Sequence, residues 1–148
     1  SMGEYSKALE YHHKALDIKV KSLPPTHPDL ATSYSNIGLV YSQKGEYSKA
    51  LEYHHKALDI YVKSLPPTHP HLATSYSNIG YVYLQKGEYS KALEYHHKAL
   101  DIGVKSLPPT HPHLATSYTN IGTVYLQKGE YSKALEYMHK ALDIEVKS

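Results

Sequence analysis

Adjacent histidines recur along this chain: EYHHKALDI stands at 10–18, 52–60 and 94–102, and returns as EYMHKALDI at 136–144. Imidazole is a common metal ligand and the side chain whose charge changes nearest neutral pH. Paired histidines at a fixed interval therefore raise a metal site or a pH sensor. Two further pairs straddle a proline, His69 and His71 around Pro70, and His111 and His113 around Pro112. Geometry weighs against a metal. Neighbours on a helix diverge by about 100°, whereas zinc needs three or four ligands converging at about 2.1 Å. The proline-flanking pairs suit only weak, incidental capture of nickel or zinc. No physiological metal and no cofactor is expected. The chain has no cysteine, hence no thiolate ligand or nucleophile.

The histidines have an alternative place in an apolar stripe. GEYSKALEY begins at Gly3, Gly45, Gly87 and Gly129, a period of 42 residues. Residues 3–44 differ from 45–86 at four positions, and 45–86 from 87–128 at three. Such a period marks units that bury their apolar faces by stacking on neighbours. Within a unit, Leu72, Tyr76, Ile79 and Tyr83 are spaced +4, +3, +4, which predicts a helix A over about 70–86. Gly87 stops it. Tyr89, Ala92, Leu93, His96, Ala99, Leu100 and Gly103 form the stripe of a helix B over about 88–105. Leu107-Pro108-Pro109 ends that helix, since proline has no N–H to donate and disfavours helix in the residue before it. Pro112 suits the first turn of the next helix A.

The expected architecture is all-α, with seven helices in the order B-AB-AB-AB. Residues 1–2 read as a cloning scar and 3–148 as a single array: a half repeat at 3–28, then repeats at 29–70, 71–112 and 113–148. In this frame His12, His54 and His96 are packing residues, expected to be neutral and partly buried. Burial would lower their pKa below the unfolded value. Met138 replaces the fourth.

The motif set resembles the tetratricopeptide repeat. Helix A carries Tyr76, Ile79-Gly80 and Tyr83; helix B carries Ala92, His96 and Ala99. The usual unit has about 34 residues, so the additional length falls in helix B and the loop. The longer form with an HP-x-L-A opening is similar to the kinesin-light-chain type. The LPPTHP loop and a histidine in place of the helix B aromatic depart from that pattern. The resemblance implies a right-handed solenoid that binds protein or peptide partners. Near-identity of the copies is what a designed consensus or a recent internal amplification produces.

Copy-to-copy differences indicate where function lies. They fall at Lys19, Tyr61, Gly103, Glu145; Asp29, His71, His113; Ser35, Ser77, Thr119; Leu39, Tyr81, Thr123; and Ser42, Leu84, Leu126. Those on helix A gather opposite the core stripe. The resemblance implies that this side lines a peptide groove. Its residues are Asn36, Asn78 and Asn120 as a ladder that holds peptide backbone, with Leu39, Tyr81, Thr123 and their variable neighbours choosing side chains, and Gln43, Gln85 and Gln127 on the same side. The lysine-rich carboxylate clamp of chaperone-binding members is missing, so a highly acidic ligand is not favoured.

The rival expectation is self-association. Both terminal segments keep the internal apolar sequence, with Tyr5, Leu9 and Leu16 at one end and Leu135, Met138 and Leu142 at the other. An uncovered stacking face makes a homo-oligomer, end to end or by helix exchange. Other functions find little support. Net charge is +2, with 16 basic against 14 acidic residues, which predicts neither nucleic acid nor an anionic membrane as partner. No apolar run approaches a membrane span of about 18 residues. A natural chain would be expected in the cytoplasm. Every Ser, His and Asp recurs on a repeating scaffold, unlike the single convergent constellation an enzyme needs.

Overall fold

The computed structural model describes residues 2–147, with Met2 described by its backbone alone. Ser1, half of the expected cloning scar, lies outside the described residues. Among these residues there are seven helices and no strand: α1 (Met2–Ser22), α2 (Pro28–Lys44), α3 (Tyr47–Ser64), α4 (Pro70–Lys86), α5 (Tyr89–Ser106), α6 (Pro112–Lys128) and α7 (Tyr131–Lys147). They divide into two compact units on either side of the Pro66–Pro67 bond.

Local chemistry sets the boundaries of every helix A. His27, His69 and His111 are N-caps, their Nδ1 atoms accepting the backbone N–H of Asp29, His71 and His113 at 3.1, 3.0 and 3.1 Å. A proline follows each in the first turn, where its missing N–H costs nothing. The loop histidines read from sequence as a loose metal pair thus spend one nitrogen on capping. At the other end Gly45, Gly87 and Gly129 adopt φ of 87°, 84° and 88°. Their N–H groups, with those of the glutamates that follow, close onto the last-turn carbonyls. Helix B ends on a serine whose hydroxyl bonds the carbonyl four residues back, as Ser64 does to Ile60 and Ser106 to Ile102.

In the first unit α2 pairs with α3, and α1 packs on α2. In the second, α4 pairs with α5 and α6 with α7, while α5 packs on α6. Each hairpin is built on one close approach. Ile37, Ile79 and Ile121 are fully buried, and the glycine after each lets helix B come near. A Cβ on Gly38 would lie 3.0 Å from His54 Nε2, and one on Gly80 2.9 Å from His96 Nε2. In the last hairpin Met138 takes the histidine's place, its Cγ 2.9 Å from a Cβ built on Gly122. The expected stripe is buried at Leu72, Ile79, Tyr83, Ala92, His96 and Ala99.

The tyrosines are organised by hairpin. Tyr41 stacks on Tyr53 at 5.5 Å, Tyr83 on Tyr95 at 5.6 Å and Tyr125 on Tyr137 at 5.7 Å. Lys56, Lys98 and Lys140 each place an ammonium 4.9 Å over the helix B ring of the pair. Lys98 also lies 3.6 Å from Glu94, as their spacing implies. Its contact with Tyr95 lies within α5, while its ammonium 5.6 Å from the Tyr76 ring on α4 adds a cation–π attraction that only the folded hairpin creates.

Candidate functional site

The proposed groove residues fall into three environments. Leu39, Tyr81 and Leu126 are exposed, as are Asn36, Thr119, Gln43, Gln85 and Gln127. Ser35, Ser77, Asn78 and Asn120 are half-buried. Ser42 and Leu84 are buried and present no surface to a ligand. Thr123 is half-buried and bonds the Thr119 carbonyl at 2.9 Å, so its hydroxyl serves its own helix. Among the described residues no hydrogen bond engages the side-chain amides of Asn36, Asn78 or Asn120. A ligand would therefore meet open donors and acceptors there.

Within the second unit, α4, α5 and α6 line an open cavity of about 440 Å³. Thr74 and Ser77 face it from α4, Ala99 and Gly103 from α5, Thr116 and Asn120 from α6. Five of these six are threonine, serine, asparagine or glycine, so the walls offer hydroxyls, one amide and bare backbone. Sequence marks Ser77 and Asn120 as groove residues and Gly103 as a variable position. Their convergence on one cavity is a product of packing. Asn78 does not line it.

The histidines divide by burial. His54 and His96 are each 3% exposed, and burial, aided by the histidine that follows each in sequence, lowers their pKa to about 4. Neither Nδ1 atom has a hydrogen-bond partner. They are neutral packing groups at neutral pH, as read from sequence. His12 differs, being half-buried on α1, where the described residues hold no preceding helix A. Among the described residues no three His, Asp or Glu side chains gather around a common point. No helix is long and apolar enough to cross a membrane.

The apolar end faces require a correction. Leu9 and Leu16 are buried, because this edge of a helix B packs on the following helix A, here α2. The residues left uncovered on α1 lie on its other edge: Ile18 is 69% exposed, with Tyr11 beside it along the helix. On α7, Leu135 and Leu142 are 58% and 53% exposed. Tyr5 and Met138 are half-buried, Met138 because it packs on Gly122. The signal that separates the two edges is in the sequence. Ala8, His12, Ala15 and Ile18 follow the +4, +3, +3 spacing of the partner-facing edge, whose equivalents Ile60, Ile102 and Ile144 are all buried.

Helical hairpins with an Ile-Gly on the first helix and a small residue–large residue–small residue stripe on the second define an all-α scaffold of stacked repeats. The tetratricopeptide repeat model matches residues 1–63 and 71–144, and the chain belongs to that family. Among solved structures, BtubC (BKLC) from P. vanneervenii superposes with a TM-score of 0.87 at 24% identity, covering 97% of this chain and 57% of that one. A Podosopora anserina putative kinesin light chain with nearly identical TPR-like repeats gives 0.82 at 24% identity, covering 98% and 69%. MamA gives 0.69 at 27% identity, covering 99% and 71%. No curated protein sequence matches the chain. The fold is thus an all-α tetratricopeptide solenoid of the type seen in kinesin-light-chain-like repeats, and that fold serves as a protein–protein interaction scaffold.

Proposed function

We propose that this chain binds an extended peptide along the face of helix A opposite the core, without catalysing a reaction. The observation that carries the reading is the convergence of Ser77, Thr116 and Asn120 on an open cavity between α4 and α6. These groups can pair with a peptide backbone, and the asparagine amide supplies both a donor and an acceptor. Within the same unit the half-exposed Tyr81 supplies an apolar contact, at a position whose residue changes from copy to copy. A peptide array probed with the intact chain tests this. Replacing Asn120 or Asn78 by alanine is expected to weaken capture by about tenfold, the cost of one or two ligand hydrogen bonds, with molecular mass unchanged. Capture that ignores both substitutions would overturn the reading.

A second reading is favoured by one observation. Tyr131, Leu135, Leu142 and Val146 are all exposed on α7, an apolar surface of the kind that marks an interaction face. On this reading copies of the chain associate through α7, with Tyr11 and Ile18 of α1 as the second sticky edge. Light-scattering mass over a concentration series decides it. A mass that rises with concentration and falls back to 16.7 kDa in a Leu135→Glu, Leu142→Glu variant supports association. A constant monomer refutes it.

A further inference from the structure

One helix B position holds a different residue in every copy: Lys19, Tyr61, Gly103 and Glu145. In the first unit its occupants close over their surroundings. Lys19 donates from Nζ to Ser33 Oγ at 3.0 Å. Tyr61 is only 7% exposed, and its hydroxyl lies 3.4 Å from Thr32 Oγ1 within the same hairpin. One repeat further on, the same pair is Gly103 and Thr74. The threonine hydroxyl is retained and the phenol is gone. At that place the second unit has its cavity of about 440 Å³, lined by both residues and by Ala73, Ala99, Leu107 and Ser117. Ser117, half-buried here, corresponds to the Ser33 that Lys19 covers.

We propose that the Gly103 cavity is a site for an external phenol, the tyrosine side chain of a partner peptide. The chain itself supplies the template, since a tyrosine is what fills this position one copy earlier. The walls agree with that occupant. Alanine and leucine methyls pack an aromatic ring, and the Thr74 hydroxyl receives or gives one hydrogen bond to the phenol oxygen. A phenylalanine would forgo that hydrogen bond. No carboxylate or lysine lines the cavity, so neither a cationic nor a phosphorylated side chain is matched. The titratable groups in its wall are His111 and His113, and His111 already spends Nδ1 on its helix cap. The volume falls in the range of about 300–1,000 Å³ common to ligand pockets. Its lining includes Ser77 and Asn120, so a peptide held there can direct a side chain inward. The proposal rests on the groove reading for the peptide but not for the phenol.

The test uses 4-methylphenol, the tyrosine side chain cut at its Cα–Cβ bond, with toluene as the phenylalanine equivalent. In amide-resolved NMR of the full chain, 4-methylphenol is expected to give saturable shifts at Thr74, Ala99 and Gly103. Gly103→Tyr should abolish them by filling the cavity from within. Its new Cβ meets Leu114 Cδ2 at 2.9 Å, the tip of a flexible side chain, so the variant should fold. Thr74→Val is a second, milder variant; it should cut the preference for 4-methylphenol over toluene about fivefold, one hydrogen bond's worth. Absence of saturable shifts, or shifts that persist in Gly103→Tyr, would overturn the proposal. If 4-methylphenol binds as expected but the chain captures no peptide, the groove reading and the peptide tyrosine fall while the phenol site stands. If peptide capture is untouched by Gly103→Tyr, the tyrosine site falls and the groove stands.

Discussion

Lowering the pH should unfold this protein by a calculable amount, and two buried imidazoles should account for it. His54 and His96 have folded pKa values of about 4 because burial opposes their charged form. In the unfolded chain they return to about 6.5. Between those values the unfolded state binds more protons, so stability is full above about 6.5, falls with pH, and the loss is complete below about 4. Each site contributes a slope of up to about 1.4 kcal/mol per pH unit, or a loss of about 2 kcal/mol at pH 5. The two lie in different hairpins and should add, giving about 4 kcal/mol, a large share of a typical total of about 5–15 kcal/mol. The lowered pKa of the half-buried His97 acts in the same direction. For a chain of this length about 4 kcal/mol corresponds to a fall in Tm of roughly 10 °C or more.

Circular dichroism melts from pH 7.5 to 5 read this directly. The decisive variant is His54→Met with His96→Met, because Met138 already shows that methionine packs against the equivalent glycine. It should flatten the pH dependence by most of its amplitude. It should also raise stability at pH 7.5, since each Nδ1 now buried without a partner costs about 1–3 kcal/mol. A wild-type Tm that is flat from pH 7.5 to 5, or a double variant with an undiminished slope, would refute the argument.

Three further outcomes follow from packing and capping. Gly80→Ala should destabilise by about 1–3 kcal/mol in urea melts, since its Cβ would meet His96 Nε2 at 2.9 Å, and His96→Ala in the same chain should recover part of that loss. Gly87→Ala should cost about 1 kcal/mol despite open space around it, because the backbone there stays at φ 84°; no loss would show that the helix end relaxes. His69→Ala removes the acceptor that caps α4 and should lower the stability read from the melt by about 1 kcal/mol; an unchanged melt would show that the cap contributes nothing.

Local sequence was sufficient for the helices and their ends. Pro70 after His69, Gly87 after Lys86 and Leu107-Pro108-Pro109 each act within a few residues, through a cap, a left-handed turn or a missing N–H. The period itself implied stacked hairpins, and the spacing of Ala92, His96 and Ala99 implied a buried histidine. The spacing separates the two edges of a helix B, but it does not decide which of them a neighbouring helix covers in a given copy. Leu9 and Leu135 occupy the same place in the repeat, yet one is buried against α2 and the other is 58% exposed on α7. Among the described residues, only the presence of a following helix distinguishes them. The same holds for the candidate site. Ser77, Gly103 and Asn120 are far apart in sequence and share no motif, and a glycine in a stripe reads as a gap. It becomes a cavity because three helices close around it at fixed spacing, while Tyr61 at the same place in the repeat is folded in against its own threonine. Short-range chemistry fixes the elements, and long-range packing decides which of their identical faces are buried, open or hollow.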